Sequence, residues 1–183
     1  MSIQLPSITT VEGVVARLLI AENNTPDFPQ YNEAQARLSM NAMKAVVDNR
    51  LHNSPSQFGA PDAVDYIDII TVPGQFYGFS RDEDGSVVIA PYVQQRIDTV
   101  LRAANIGAPG KYFQFVKDAI TVTYGSFTDP FAALTNVNGV RVTGGGYGWR
   151  SVALTSNPGG RFIPIPATLG GIIQGNKFYT LKK

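Results

Sequence analysis

The spacing of apolar residues changes once along this chain, near Thr121, and that change limits the available folds more than any other feature. Before it, apolar residues return every three or four positions, the period of a helix with one buried face. Beyond it they form short runs of period two, cut by glycine and proline, as in hairpins or irregular strands. Ten of the 18 glycines lie after Pro130. Helices first and strands afterwards predict an α+β domain, not an alternating α/β one. No internal repeat or low-complexity linker divides residues 1–183, so a single domain is expected.

Individual elements follow from the same periodicity. Val11, Val14, Val15, Leu18 and Leu19 predict a helix over 11–23, capped by Ser7, Thr9 or Thr10 and ended by Asn24, Thr25 and Pro26. Asn32 with Gln35 resembles a capping box for a second helix over about 33–52, burying Leu38, Ala42, Ala45, Val46 and Asn49. Residues 53–63 read as a loop, and Tyr66–Val72 as either a buried strand or a short helix. Residues 81–85 read as an exposed turn leading into Val87–Ala90. Pro91 opens a third helix that Gly107 stops, and Tyr112–Ile120 is a fourth, shorter one. Strand-like runs follow at Val140–Val142, Ser151–Leu154, Phe162–Ile165 and Lys177–Leu181.

Composition removes several kinds of chemistry. There is no cysteine, hence no disulfide, thiol nucleophile or thiolate metal site. The single histidine, His52, excludes a multi-histidine metal centre, and beside Ser54 or Ser56 it reads as polar surface. Asp62, Asp65 and Asp68 lack the oxygen spacing of a calcium loop and read as solvated. The segment Gly144–Gly148 lacks the context of a phosphate loop and reads as a flexible turn. A net charge of +1 argues against a nucleic-acid binder, and no run reaches the ~20 apolar residues of a membrane span. Neither a metal nor an organic cofactor is expected. The charges are nonetheless segregated: all 14 carboxylates lie at or before Asp129, while residues 130–183 carry six basic side chains and no acid. That tail is either a by-product of a loop-rich half or a cationic wall facing an anionic polymer.

Chemistry is therefore left to carboxylates, hydroxyls and amides, and Glu22 stands out. It lies four residues after Leu18 and seven after Val15, so it continues the apolar stripe of the first helix. Burial and the negative end of the helix dipole both favour its protonated form. A carboxylic acid that keeps its proton near neutrality suits glycosidic cleavage, in which the leaving oxygen must be protonated. Two other readings are that Glu22 turns away at the frayed helix end, or that it pairs with Arg50 in a buried bridge. Tyr147, Trp149, Phe162, Phe178 and Tyr179 either stack against sugar rings or pack in the core.

Four segments occur in a telling order: ARLLIAEN at 16–23, AVVDNRL at 45–51, PGQF at 73–76 and GNKFY at 175–179. Their succession resembles the spore-cortex-lytic (SleB-like) cell wall hydrolase family, with the match concentrated in residues 14–79. The resemblance implies a lysozyme-like fold, with a mainly helical lobe over 10–120 and a small Gly-rich β or irregular lobe facing it across a groove. It implies that Glu22 is the catalytic acid and that Gln75 and Phe76 line the substrate groove, with Asn49-Arg50 a structural helix end. Tyr77, Tyr147 and Trp149 are added as candidate sugar-contacting residues. The sequence departs from the family pattern at Asn23-Asn24-Thr25-Pro26 and in the 53–65 insertion.

The expected activity is cleavage of the β-1,4 bond between N-acetylmuramic acid and N-acetylglucosamine, by a lytic transglycosylase or a muramidase. Candidates for a second acid are Asp27, Glu33, Asp82, Glu83 and Asp84, and a site with one carboxylate favours the transglycosylase. The alternative is a non-catalytic glycan-binding or phage/secretion-apparatus component on the same fold. The expected partners are peptidoglycan strands, with a delivery apparatus or an inhibitory immunity protein besides, for a monomeric protein. The opening MSIQLPSITT lacks the basic and apolar regions of a secretory signal. The expectation is therefore synthesis in the cytoplasm and delivery to the wall by phage lysis or a secretion apparatus.

Overall fold

Among the described residues, five α-helices carry the first two thirds of the chain, and antiparallel strands carry most of the rest. These coordinates are a computed structural model and describe residues 2–53, 55–156 and 158–183; Ser54 lies outside them. Helix α1 spans Val11–Glu22, and its first turn is capped by Thr10, whose side chain accepts from the Gly13 amide. Helix α2, Glu33–Asn53, starts with the Asn32 side chain accepting from the Gln35 amide at 3.0 Å. A short 3₁₀ turn, Pro55–Phe58, leads on to α3, Tyr66–Ile70, whose capping box is made by Asp65 and Asp68. The apolar run at 66–72 is thus a short helix, and two of the three aspartates are structural.

Strands β1 (Phe79–Arg81) and β2 (Val87–Ile89) form a two-stranded hairpin around the exposed turn. Helix α4, Pro91–Ala104, and helix α5, Lys111–Tyr124, come next. Helix α5 runs four residues beyond the expected Ile120, because Val122 is buried and Thr123 donates back to the Ala119 carbonyl. The remaining strands are β3 (Asn136–Val137), β4 (Val140–Ser151), β5 (Phe162–Pro164), β6 (Ile172–Ile173) and β7 (Asn176–Lys182). They pair antiparallel in the order β3-β4-β7-β5, with β6 beside β7.

Helix α2 is the hub, packing against α1, α3, α5 and β4. Ala36, Met40, Met43, Val46 and Val47 are buried around it. Leu38, expected inside, is exposed; it lies about 160° round the helix from Met40, at ~100° per residue. The Gly144–Gly148 segment is not a flexible turn but the middle of β4, interrupted by a bulge between Thr143 and Gly148. Its glycines let the strand press onto α2. A Cβ at Gly146 would lie 3.2 Å from Val46 and 3.1 Å from Phe131. At Gly145, φ is +106°, a conformation that favours glycine. Ser151–Leu154 is strand only at Ser151, with the rest an exposed turn. Among the described residues, no helix is long and apolar enough to cross a membrane.

Candidate active site

Glu22 ends α1, where the helical stripe meets the sheet, and it is half-buried. The chain that follows is clamped from three sides. Asn23 is fully buried and donates to the Ala36 carbonyl of α2 at 3.0 Å. Arg96 of α4 donates to the Asn23 carbonyl at 2.7 Å. Asn24 donates to the Gln174 carbonyl in the β6–β7 turn at 2.6 Å. A carboxyl group at the end of such a segment loses the freedom of a frayed helix end, and Arg96 supplies a positive charge to the helix C-terminus.

The Glu22 side chain lines a cavity of about 300 Å³ shared with Arg50, Gln75, Phe76, Tyr77, Trp149 and Arg150. Trp149 Nε1 donates to Glu22 Oε2 at 3.2 Å. Burial pushes the Glu22 pKa above the ordinary carboxylate value, opposed less strongly by the Trp149 hydrogen bond and the Arg96 charge. The expected direction of that shift therefore rests on desolvation. Arg50 does not bridge to Glu22. Its Nε donates to the Tyr147 carbonyl at 2.8 Å and its Nη1 to Gln75 Oε1 at 2.9 Å. Its guanidinium lies 4.6 Å from the Phe58 ring centroid and 4.9 Å from that of Phe76. Burial lowers its pKa to about 10, so it remains charged at neutral pH.

Gln75 and Glu22 thus share one cavity although 53 positions separate them, and Trp149 joins them from β4. Phe76 is buried, 5.2 Å centroid to centroid from Trp149, so it forms a wall behind the indole. Tyr77 is 80% exposed at the rim, its ring 5.3 Å from that of Tyr92. Tyr147 is a correction: it is 1% exposed and packs on Phe58 in a separate apolar cluster. Strict alternation would put Tyr147 and Trp149, two positions apart, on one face; the irregularity between Thr143 and Gly148 takes in Tyr147 and breaks that pattern before regular pairing resumes at Gly148. Phe178 and Tyr179 are likewise fully buried.

Among the described residues, Glu22 is the only acid lining this cavity. Of the candidates for a second acid, Asp27 borders a neighbouring cavity of about 570 Å³ that opens beside Asn24, Tyr92 and Arg96. It is exposed and accepts from the Tyr112 hydroxyl. Asp82 and Asp84 accept from the Ser86 amide in the hairpin turn, and Glu83 and Glu33 are exposed elsewhere. His52 contacts Asp48 at the exposed end of α2. Arg96 and Arg150 escaped the reading of the sequence, because nothing in the local pattern of α4 or β4 ties either one to the end of α1. For Arg50 the sequence suggests a helix end or a bridge to Glu22, not a bond to Gln75, although an arginine four residues after Val46, on a buried stripe, is itself a signal. No protein-family model, curated protein or solved structure matches this chain.

Proposed function

We propose that this protein is a peptidoglycan-cleaving glycosidase of lysozyme-like architecture, with Glu22 as its general acid and base. The observation that carries the reading is a half-buried carboxyl group, biased toward its protonated form, at the wall of a cavity floored by Trp149 and Phe76. Trp149 engages Oε2 and leaves Oε1 for a ligand. In the proposed reaction Oε1 protonates the oxygen between N-acetylmuramic acid and N-acetylglucosamine as the glycosidic bond breaks. The resulting carboxylate then takes the proton of the muramic acid 6-hydroxyl as that oxygen attacks C1, closing a 1,6-anhydro ring. The absence of a second acid from the cavity lining, among the described residues, favours this transglycosylation over attack by water. Tyr77 and Tyr92 offer exposed rings for a sugar face beyond the cavity.

The test is clearing of a peptidoglycan suspension by the wild type and by Glu22→Gln. The variant should lose at least a hundredfold, within the ~10²–10⁴ that a general acid contributes. Mass analysis should find 1,6-anhydro ends in the products. Reducing ends alone would replace the transglycosylase with a muramidase. Full activity in Glu22→Gln would end the mechanism, and wall binding without cleavage would leave a glycan-binding role.

A further inference from the structure

Arg50 is a buried charge at the site that the proposed reaction does not use. It is 6% exposed, and among the described residues no carboxylate forms an ion pair with it. Burying a guanidinium without a counter-ion is costly, and its contacts with Phe58, Phe76 and the Tyr147 carbonyl offset that only in part. Its bond to Gln75 carries information. A guanidinium can only donate, so the Gln75 atom 2.9 Å from Nη1 must be the carboxamide oxygen. The two ends of that amide are therefore not interchangeable. Gln75 lines the Glu22 cavity, and its Nε2 amino group has no protein acceptor among the described residues. Arg150, on the same lining, also offers only donors.

We propose that Arg50 is a positioning residue that locks the Gln75 carboxamide oxygen inward, making Nε2 a dedicated donor to the acetamido carbonyl of the glycan and so selecting N-acetylated over N-deacetylated strands. This rests on the glycan reading of the site given above. In an N-deacetylated sugar an ammonium group replaces the carbonyl acceptor. It cannot accept from Gln75 Nε2, which is then desolvated and unpaired, and it adds positive charge beside Arg50 and Arg150. Sites built to hydrogen-bond one group discriminate strongly against ligands that lack it.

Trp149 is the only tryptophan in the chain and lines the same cavity, so its fluorescence reports occupancy. The probes are a β-1,4-linked N-acetylglucosamine tetramer and its fully N-deacetylated counterpart, titrated into the Glu22→Gln protein at a pH where the free amines are protonated. This background removes cleavage and any attraction of the amines to Glu22. The acetylated tetramer should bind at least tenfold tighter. Adding Gln75→Glu should bring the ratio to one or invert it, because its carboxylate pairs with Arg50 and offers acceptors alone. Arg50→Lys, with Gln75 intact, should also reduce the ratio, since its single nitrogen does not reproduce the two separate guanidinium nitrogens that hold the Tyr147 carbonyl and Gln75; a thermal melt establishes that it folds. Should Arg50→Lys not fold, the Gln75→Glu ratio decides. A purely structural Gln75 would weaken both ligands equally and preserve the ratio, which overturns the proposal. Equal affinities in the parent, or no binding of either tetramer, also overturn it. Acetyl-selective binding by a protein that cleaves no wall would retire the glycosidase reading and leave this inference standing.

Discussion

Glu22 and Asn23 are adjacent yet hold their places by different means, and the difference has measurable consequences. Asn23 is fully buried with its amide satisfied by α2, whereas Glu22 is half-buried with its pKa raised. Because the folded state holds the Glu22 proton more tightly than the unfolded state, its cost to stability is absent below the ordinary carboxylate range. That cost grows as pH rises from the ordinary carboxylate range to the raised value and levels off above it. Glu22→Gln should therefore melt with the parent in acid and above it at neutral and alkaline pH, a difference readable by calorimetry across a pH series. Wall cleavage should fall as pH rises through the same value, since the general acid must be protonated. Trp149→Phe removes a hydrogen bond that lowers the Glu22 pKa, so the alkaline limb of the pH–rate profile should move to higher pH. An unmoved limb would detach the indole from Glu22. The sequence made Glu22 legible because its stripe is local, and Trp149 was legible as one aromatic among several. Tyr147 was misread, since the bulge in β4 cannot be seen in a run of glycines.

At the scale of elements, two residues show how the helices are held in register. Lys44 is 6% exposed, and its Nζ donates to the carbonyls of Val122, Thr123 and Gly125 at 2.9, 3.0 and 2.8 Å. It thereby ties the middle of α2 to the C-terminal end of α5, where a cation opposes the helix dipole. Lys44→Met keeps much of the stem but strands those carbonyls, and should cost roughly 2–3 kcal/mol in urea unfolding. Gly78 sits at φ +85° between the Gln75–Tyr77 segment and α4. A Cβ there would fall 2.5 Å from Val93 Cγ2 and 2.7 Å from the Tyr92 hydroxyl. Gly78→Ala should cost about 1–2 kcal/mol from its backbone conformation alone. It should also lower activity by moving the loop that carries Gln75. Helices and most strands were readable because their periodicity is local. The length of β4 was not, because its glycines are chosen for contact with α2 and not for strand propensity.

Over the whole molecule, the charge asymmetry along the chain becomes a spatial one. Arg150 on β4 lies directly opposite Lys177 on β7, a like-charge pair that disfavours the sheet. Arg150 also lines the Glu22 cavity, and Lys182 and Lys183 are exposed at the end of β7. Adsorption to an anionic wall polymer should therefore weaken in sedimentation assays between low salt and 1 M salt, where screening shortens to ~3 Å. Salt-independent adsorption would remove the basic tail from the binding surface. What the sequence determined by itself is the α+β class, the helical stripes, and a carboxyl group placed where an apolar residue would fit the stripe. Each follows from interactions within a few turns or one strand. What only the tertiary structure decided is the company of that carboxyl group. Trp149 is 127 residues from Glu22, Arg96 is 73 residues from the Asn23 carbonyl it holds, and Arg50 is 25 residues from Gln75. These contacts come from the packing of α2 and α4 against α1 and from the bulge that turns β4. No local period encodes them, because a hydrogen bond across such separations depends on where whole elements come to rest.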